Sequence, residues 1–253
     1  MPPVTHTMPQ PDALLRAVES ALAAPAAERA AMLASVLYEA DGADLLALDL
    51  DARERAALRL HRAIAGDVLD AQTPCAHCGE RMEIALPSAL LDVPGSGEHE
   101  VREGSWRIAL RVPDTRDVLD ALAAGQAADP DASASRRAEA RLFAHCVIEA
   151  SDGDAPCTAD DIPAALRERC EAQLERMAPL ANVSLELICP VCGADGSAPL
   201  DLGGYVSERA RYWAEDLLDE IARLCRAYAW SERDALGMSA WRRRFYLSRA
   251  EGA

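Results

Sequence analysis

The sequence predicts a mainly helical protein with a small β element, on three observations. Half of the 253 residues are apolar but only 4% are aromatic. Ala and Leu, which lose little rotamer freedom in a helix, supply most of that apolar half. Apolar positions recur at helical spacing through most of the chain, and period-two alternation is confined to a few short stretches, two of them beside Cys-x-x-Cys-Gly units.

Residues 1–11 are Pro-rich and polar and read as a loose tail. Residues 12–70 read as a helical region: a helix capped by Asp12, a second helical run over residues 27–39, and a third from Asp51 that stops at Gly66. Texture changes at residues 71–95, where Cys75-Ala76-His77-Cys78-Gly79 precedes the alternating Met82-Glu83-Ile84-Ala85-Leu86. Residues 96–182 read as a mixed insertion. A turn-rich passage over residues 93–104 leads into it, Trp106 to Val112 alternate as a strand, and a helix starts at Pro113-Asp114-Thr115. A polar loop over 127–135, a helix over 136–150, an acidic loop over 151–161 and a helix over 163–177 complete it. Residues 183–204 repeat the knuckle pattern, with the strand-like Val183 to Ile188 delivering Cys189-Pro190-Val191-Cys192-Gly193. Residues 205–253 are helical again. A long helix from Tyr205 places Val206, Trp213, Leu217, Leu218, Ile221, Leu224 and Tyr228 on one stripe. Ser231 and Asp234 form a capping-box pattern before a short helix, and Ser239 caps a last one.

Charge narrows the function classes. Twenty-six Lys and Arg face 42 Asp and Glu, a net charge of −16. That argues against general nucleic-acid binding, which needs a basic surface to neutralise phosphates, and against an anionic membrane surface. Every basic residue is Arg; the absence of Lys removes Schiff-base chemistry and phosphate binding by a P-loop lysine. No stretch approaches 18 apolar residues, so no membrane span is expected. The opening residues show no secretory pattern, so the eight Cys read as thiols or metal ligands of a reducing bacterial cytoplasm. No nucleophile elbow, zincin helix or dinucleotide fingerprint is present, and none of the five His has a motif partner, so no enzyme is expected.

The two Cys-x-x-Cys-Gly units carry the strongest chemistry. A tight knuckle presents two thiolates to one face, and the Gly permits the left-handed turn that follows. Cys75, Cys78, Cys189 and Cys192 thus make a tetrahedral set for one structural Zn²⁺, as in a zinc ribbon. The alternative is a pair of metal-free knuckles, as thiols or as a disulfide. A thioredoxin-like pair is disfavoured because strand-like sequence, not a helix, follows the first Cys. About 110 residues separate the knuckles. Closing that loop costs about 2 kcal/mol more than closing one of 15 residues, against on the order of 10 kcal/mol from a structural zinc. His77 is expected to face outward, and Cys146 and Cys225 to be small core residues.

Three places resemble the T-even phage baseplate hub assembly proteins and their relatives in contractile injection systems. The first is Cys75 to Glu83, similar to that family's CPxCGexlE pattern. The second is Arg111-Val112-Pro113-Asp114-Thr115-Arg116-Asp117, followed downstream by Leu142-Phe143-Ala144-His145-Cys146-Val147. The third runs from Leu185 to Leu247 and includes the second knuckle, Trp213, Tyr228 to Met238 and Arg243-Arg244-Phe245-Tyr246-Leu247. The chain departs from the pattern at Ala76, where Pro is usual, and in lacking an aromatic-rich strand after Gly193. The resemblance implies a non-enzymatic assembly factor or minor structural component of a contractile tail's baseplate hub. Its partners would be baseplate, hub or spike proteins, and its place the bacterial cytoplasm where particles assemble. The rival expectation is a zinc-ribbon regulator associated with nucleic acid, which the net charge disfavours.

The expected partner surface is Trp230, Met238, Trp241, Arg242, Arg243, Arg244, Phe245 and Tyr246, where scarce aromatics meet the one concentrated Arg run. The competing expectation is that Trp241 and Phe245, one helical turn apart, dock this short helix on the chain's own acidic body.

Overall fold

The computed structural model describes residues 10–38, 42–126 and 132–250. Helices dominate: α1 (Pro11–Ala23), α2 (Arg29–Leu33), α3 (Gly42–Leu46) and α4 (Leu50–Ala65) precede the first hairpin, β1 (Val68–Pro74) and β2 (Arg81–Pro87). The insertion holds β3 (Glu100–Glu103), β4 (Trp106–Leu110), α5 (Thr115–Gln126), α6 (Ala132–Cys146), β5 (Val147–Asp152), β6 (Ala155–Cys157) and α7 (Ala164–Met177). A second hairpin, β7 (Val183–Ile188) and β8 (Asp195–Leu200), leads into α8 (Leu202–Tyr228), α9 (Glu232–Leu236) and α10 (Ala240–Ala250). All strand pairs are antiparallel, in two two-stranded sheets and one four-stranded sheet of order β3-β4-β5-β6.

The long α8 organises the main core. Its buried positions Leu202, Val206, Ala210, Ala214, Leu217, Ile221 and Leu224 recur every three or four residues, and α1, α2, α4, α9 and α10 pack on it. Gly203 marks the closest approach, since a Cβ there would lie 2.9 Å from the Ala30 Cβ and 3.1 Å from Glu54 Oε1. The helix ends at Ala229, which adopts left-handed φ 57° without being Gly. A second core lies within the insertion, where Val101, Ile108, Leu110, Phe143, Ile162, Leu166, Cys170 and Met177 pack together.

Several sequence expectations need correction. Of the expected tail, residues 1–9 lie outside the described residues, but Pro11 is already helical, and the cap position is Gln10 with no side-chain cap bond, not Asp12. The run over 27–39 is broken, as α2 is only five residues long and is flanked by 3₁₀ turns at Ala26–Glu28 and Ala34–Val36. Helix α6 stops at Cys146; Val147–Asp152 are a strand because β4 lies alongside and Ala150 enters the insertion core. Its first residues, from 132, fall in the segment expected as polar loop, whose 127–131 lie outside the described residues. The acidic loop contains β6, whose Pro156 is tolerated because β6 is an edge strand. Helix α8 begins three residues before Tyr205 because Asp201 caps it, accepting the Gly204 N–H at 2.9 Å. Leu218 faces solvent rather than the core.

Helices α4 and α8 form the platform that holds both hairpins. Buried His61 of α4 donates Nε2–H to the Val68 carbonyl at 3.1 Å and rests against the Tyr205 ring. The Tyr205 hydroxyl accepts the Asp70 N–H at 3.0 Å, and Arg62 donates to Ser88 Oγ at 2.8 Å just past β2. At the entry to the second hairpin, Asp51 of α4 accepts the Leu180 N–H at 3.2 Å. Its exit runs through the Asp201 cap directly into α8.

Candidate metal centre

Each hairpin carries one knuckle at its tip, built by the same bonds. The Cys75 N–H donates to Glu80 O at 2.7 Å and the Gly79 N–H to Cys75 O at 2.9 Å. In the second hairpin the Cys189 N–H donates to Ala194 O at 3.0 Å and the Gly193 N–H to Cys189 O at 2.9 Å. Gly79 and Gly193 sit at φ 75° and 72°, the left-handed region that a Cβ disfavours. Strand β8 completes the second hairpin although it has no aromatic residue, so the missing aromatic signal did not alter the pairing.

The platform brings the two tips together. Cys75 Sγ lies 3.8 Å from Cys192 Sγ and Cys78 Sγ lies 3.7 Å from Cys189 Sγ, and all four sulfurs fall within 4.8 Å of one another. The pairing is crosswise: the first Cys of each knuckle, Cys75 or Cys189, is buried and approaches the exposed second Cys of the other. All four sequence-chosen ligands meet at one point, a cluster that can hold a metal ion. No other such group of His, Cys, Asp or Glu occurs among the described residues. His77 faces outward, as expected.

Electrostatics divide the four thiols by position. The backbone N–H groups of Cys78 and His77 hold the Cys75 thiol below its ordinary range, and those of Cys192 and Val191 bring Cys189 down to about 7. Cys78 receives the Glu80 N–H, but desolvation and the neighbouring thiols outweigh it and push it up to about 12; Cys192 is raised in the same manner. Four sulfurs this close cannot all carry negative charge alone, and a bound cation removes the conflict. The remaining cysteines stand apart. Burial pushes Cys146 up to about 12 and Cys170 up to about 11, Cys225 is partly buried, and Cys157 lies on the edge strand β6.

The structure divides the expected partner surface in two. Arg243 is buried, donating to Glu220 Oε2 at 3.3 Å and to Met238 O at 2.7 Å. Trp230 stacks on Tyr228, and both meet Tyr246 edge-on, while the Tyr228 hydroxyl donates to the Tyr246 carbonyl at 3.0 Å. The three rings pack against the main core, and Met238 is half-buried. Trp241 (73% exposed) and Phe245 (44% exposed) stack on each other in solvent, with exposed Arg242 and Arg244 beside them. Self-docking therefore uses Arg243 and Leu247, the opposite face from the pair expected to dock. The sequence reading missed Arg249, whose guanidinium lies over the Phe245 ring at 5.4 Å; its position four residues on was the available signal.

No helix among the described residues is long and apolar enough to cross a membrane. Comparison of the chain with protein-family models, with curated proteins and with solved structures returned no match.

Proposed function

We propose that this chain is a zinc-clasped, non-enzymatic assembly factor or minor structural component of the baseplate hub of a phage-like contractile tail. The convergence of Cys75, Cys78, Cys189 and Cys192 carries the zinc reading. Tetrahedral Zn²⁺ with Zn–S near 2.3 Å spaces its sulfurs about 3.8 Å apart, and the cross-knuckle separations are 3.8 and 3.7 Å. Four thiolates leave no position for water or substrate, so the ion is structural and the element zinc-ribbon-like. It clasps the two ends of a folded insertion, work that suits a scaffold.

The baseplate reading rests on the resemblance, and residues that carry it have structural roles here. Arg111 and Asp117 pair bidentately between β4 and α5, and Tyr228 to Leu247 build the α8–α10 junction. An exposed aromatic pair among three Arg suits an acidic protein partner. On a chain of net charge −16, one short basic helix is a poor base for the rival nucleic-acid reading.

Truncation of α10 would remove core residues, so a surface variant is the sharper test. Replacing Trp241 and Phe245 together with Ser should shift the melting temperature by less than about 3 °C, since surface changes cost little. It should reduce capture of the hub and spike proteins of the same tail system at least tenfold. Unchanged capture by a folded double variant contradicts the reading, and retention of duplex DNA at ~150 mM salt favours the rival.

A further inference from the structure

A cleft of about 570 Å³ opens between the two hairpins, lined on one side by residues 84–87 of β2 and on the other by residues 182–187 leading through β7. Consecutive residues of both strands line it. A strand face would contribute only alternate residues, so what borders the cleft is the edge of each strand. Both edges are unpaired: β2 is bonded only to β1 and β7 only to β8, and no other backbone hydrogen bond reaches either strand among the described residues. Neither edge is blunted by a bulge or by a mid-strand Pro. Both hairpins keep a continuous register without a bulge, and the one Pro in these two strands, Pro87, stands at the very end of β2.

Two facing edges ask for an occupant with its own N–H and C=O groups in extended order. Ile84, Leu86, Leu185 and Leu187 ask for apolar side chains on that occupant, and Leu90 (65% exposed) lies open at the margin. Charge sets its sign. Residues 67–87 and 183–201 carry seven Asp or Glu, all exposed, against one Arg, and Glu186 is the only charged residue lining the cleft. We propose that the cleft between β2 and β7 receives an extended, basic segment of a partner protein, which adds as a strand between the two hairpins. The edges offer seven and six residues, enough for a strand of ordinary length. This inference stands independently of which assembly the chain serves.

The test uses the full chain and a synthetic peptide alternating Arg and Val over eight residues. Two control peptides replace Arg with Glu, or N-methylate every second backbone amide. The expected result is that the Arg–Val peptide binds at least tenfold more tightly than either control and slows amide exchange in residues 81–87 and 183–188. A Leu90→Arg, Glu186→Arg variant should lose at least tenfold in affinity while melting as the parent does. Equal affinity for the N-methylated peptide, or bound peptide with unchanged exchange in both strands, overturns the proposal. So does slow exchange at both edges before peptide is added, if dilution abolishes it (a second copy) or deletion of residues 1–9 does (the chain's own terminus). The peptide controls decide the matter even if the variant fails to fold.

Discussion

Replacing Cys189 with Ser lowers the melting temperature by about 10 °C or more and exposes the chain to trypsin after Arg81. A three-thiolate set binds zinc far more weakly, and a structural zinc contributes on the order of 10 kcal/mol. Losing even a third of that shifts the melting temperature of a chain this size by about 10 °C. The site of cleavage follows from the fold. The insertion has its own core, so opening the clasp frees the hairpins more than the insertion they enclose. Arg81 is the only Arg in either hairpin and starts β2 two residues after Gly79. Limited proteolysis with identification of the fragments checks this. Cys225→Ser, away from the cluster, serves as control and should leave the Arg81 bond resistant. Equal resistance in Cys189→Ser shows that the four thiols do not hold the hairpins together.

The second large effect is expected at Asp117. Its carboxylate accepts Arg111 Nη1 at 2.7 Å, Arg111 Nη2 at 2.8 Å and the Asp114 N–H at 2.8 Å, joining the end of β4 to the first turn of α5. His145 Nδ1 lies 3.3 Å away. Asp117→Ala should cost about 2 kcal/mol, because it removes three bonds to a buried carboxylate but leaves Arg111 partly open to water. The pH dependence has a definite sign. Desolvation raises the Asp117 pKa, but the Arg111 bonds and the Asp114 N–H outweigh it and hold the group below the usual carboxylate range. The unfolded chain, with a value near 3.9, therefore binds this proton first as pH falls. Asp117 contributes its full stability above about pH 4 and loses it as pH drops through the lower folded value. Urea unfolding of parent and Asp117→Asn should show a gap at pH 7 that narrows below pH 4. A gap of constant size down to pH 2 contradicts this role.

Where local signals were strong, the sequence was legible. Gly66 stops α4, Ser231 and Asp234 cap α9 reciprocally, and the knuckle glycines turn left-handed, because each depends on residues within one turn of chain. Strands β3 and β6 were missed because four and three residues are too few to show a period, and they exist only because β4 and β5 pair with them. Strand β5 follows α6 without a turn residue, so nothing local marks the change. The four cysteines were readable because a knuckle is a local motif, but their crosswise approach depends on how the two hairpins sit on the platform, where His61, Tyr205 and Asp51 bond the chain at or beside their bases. The proposed partner surface was readable only as a segment. Which face of α10 turns inward depends on Glu220, 23 residues earlier on α8, where it meets Arg243.

Elemental analysis of the purified chain, prepared under reducing conditions without added chelator, tests the zinc clasp most directly. The expected result is one zinc per chain in the parent and a clear loss in Cys189→Ser. No zinc in the parent, or two per chain, contradicts a single ion shared by Cys75, Cys78, Cys189 and Cys192.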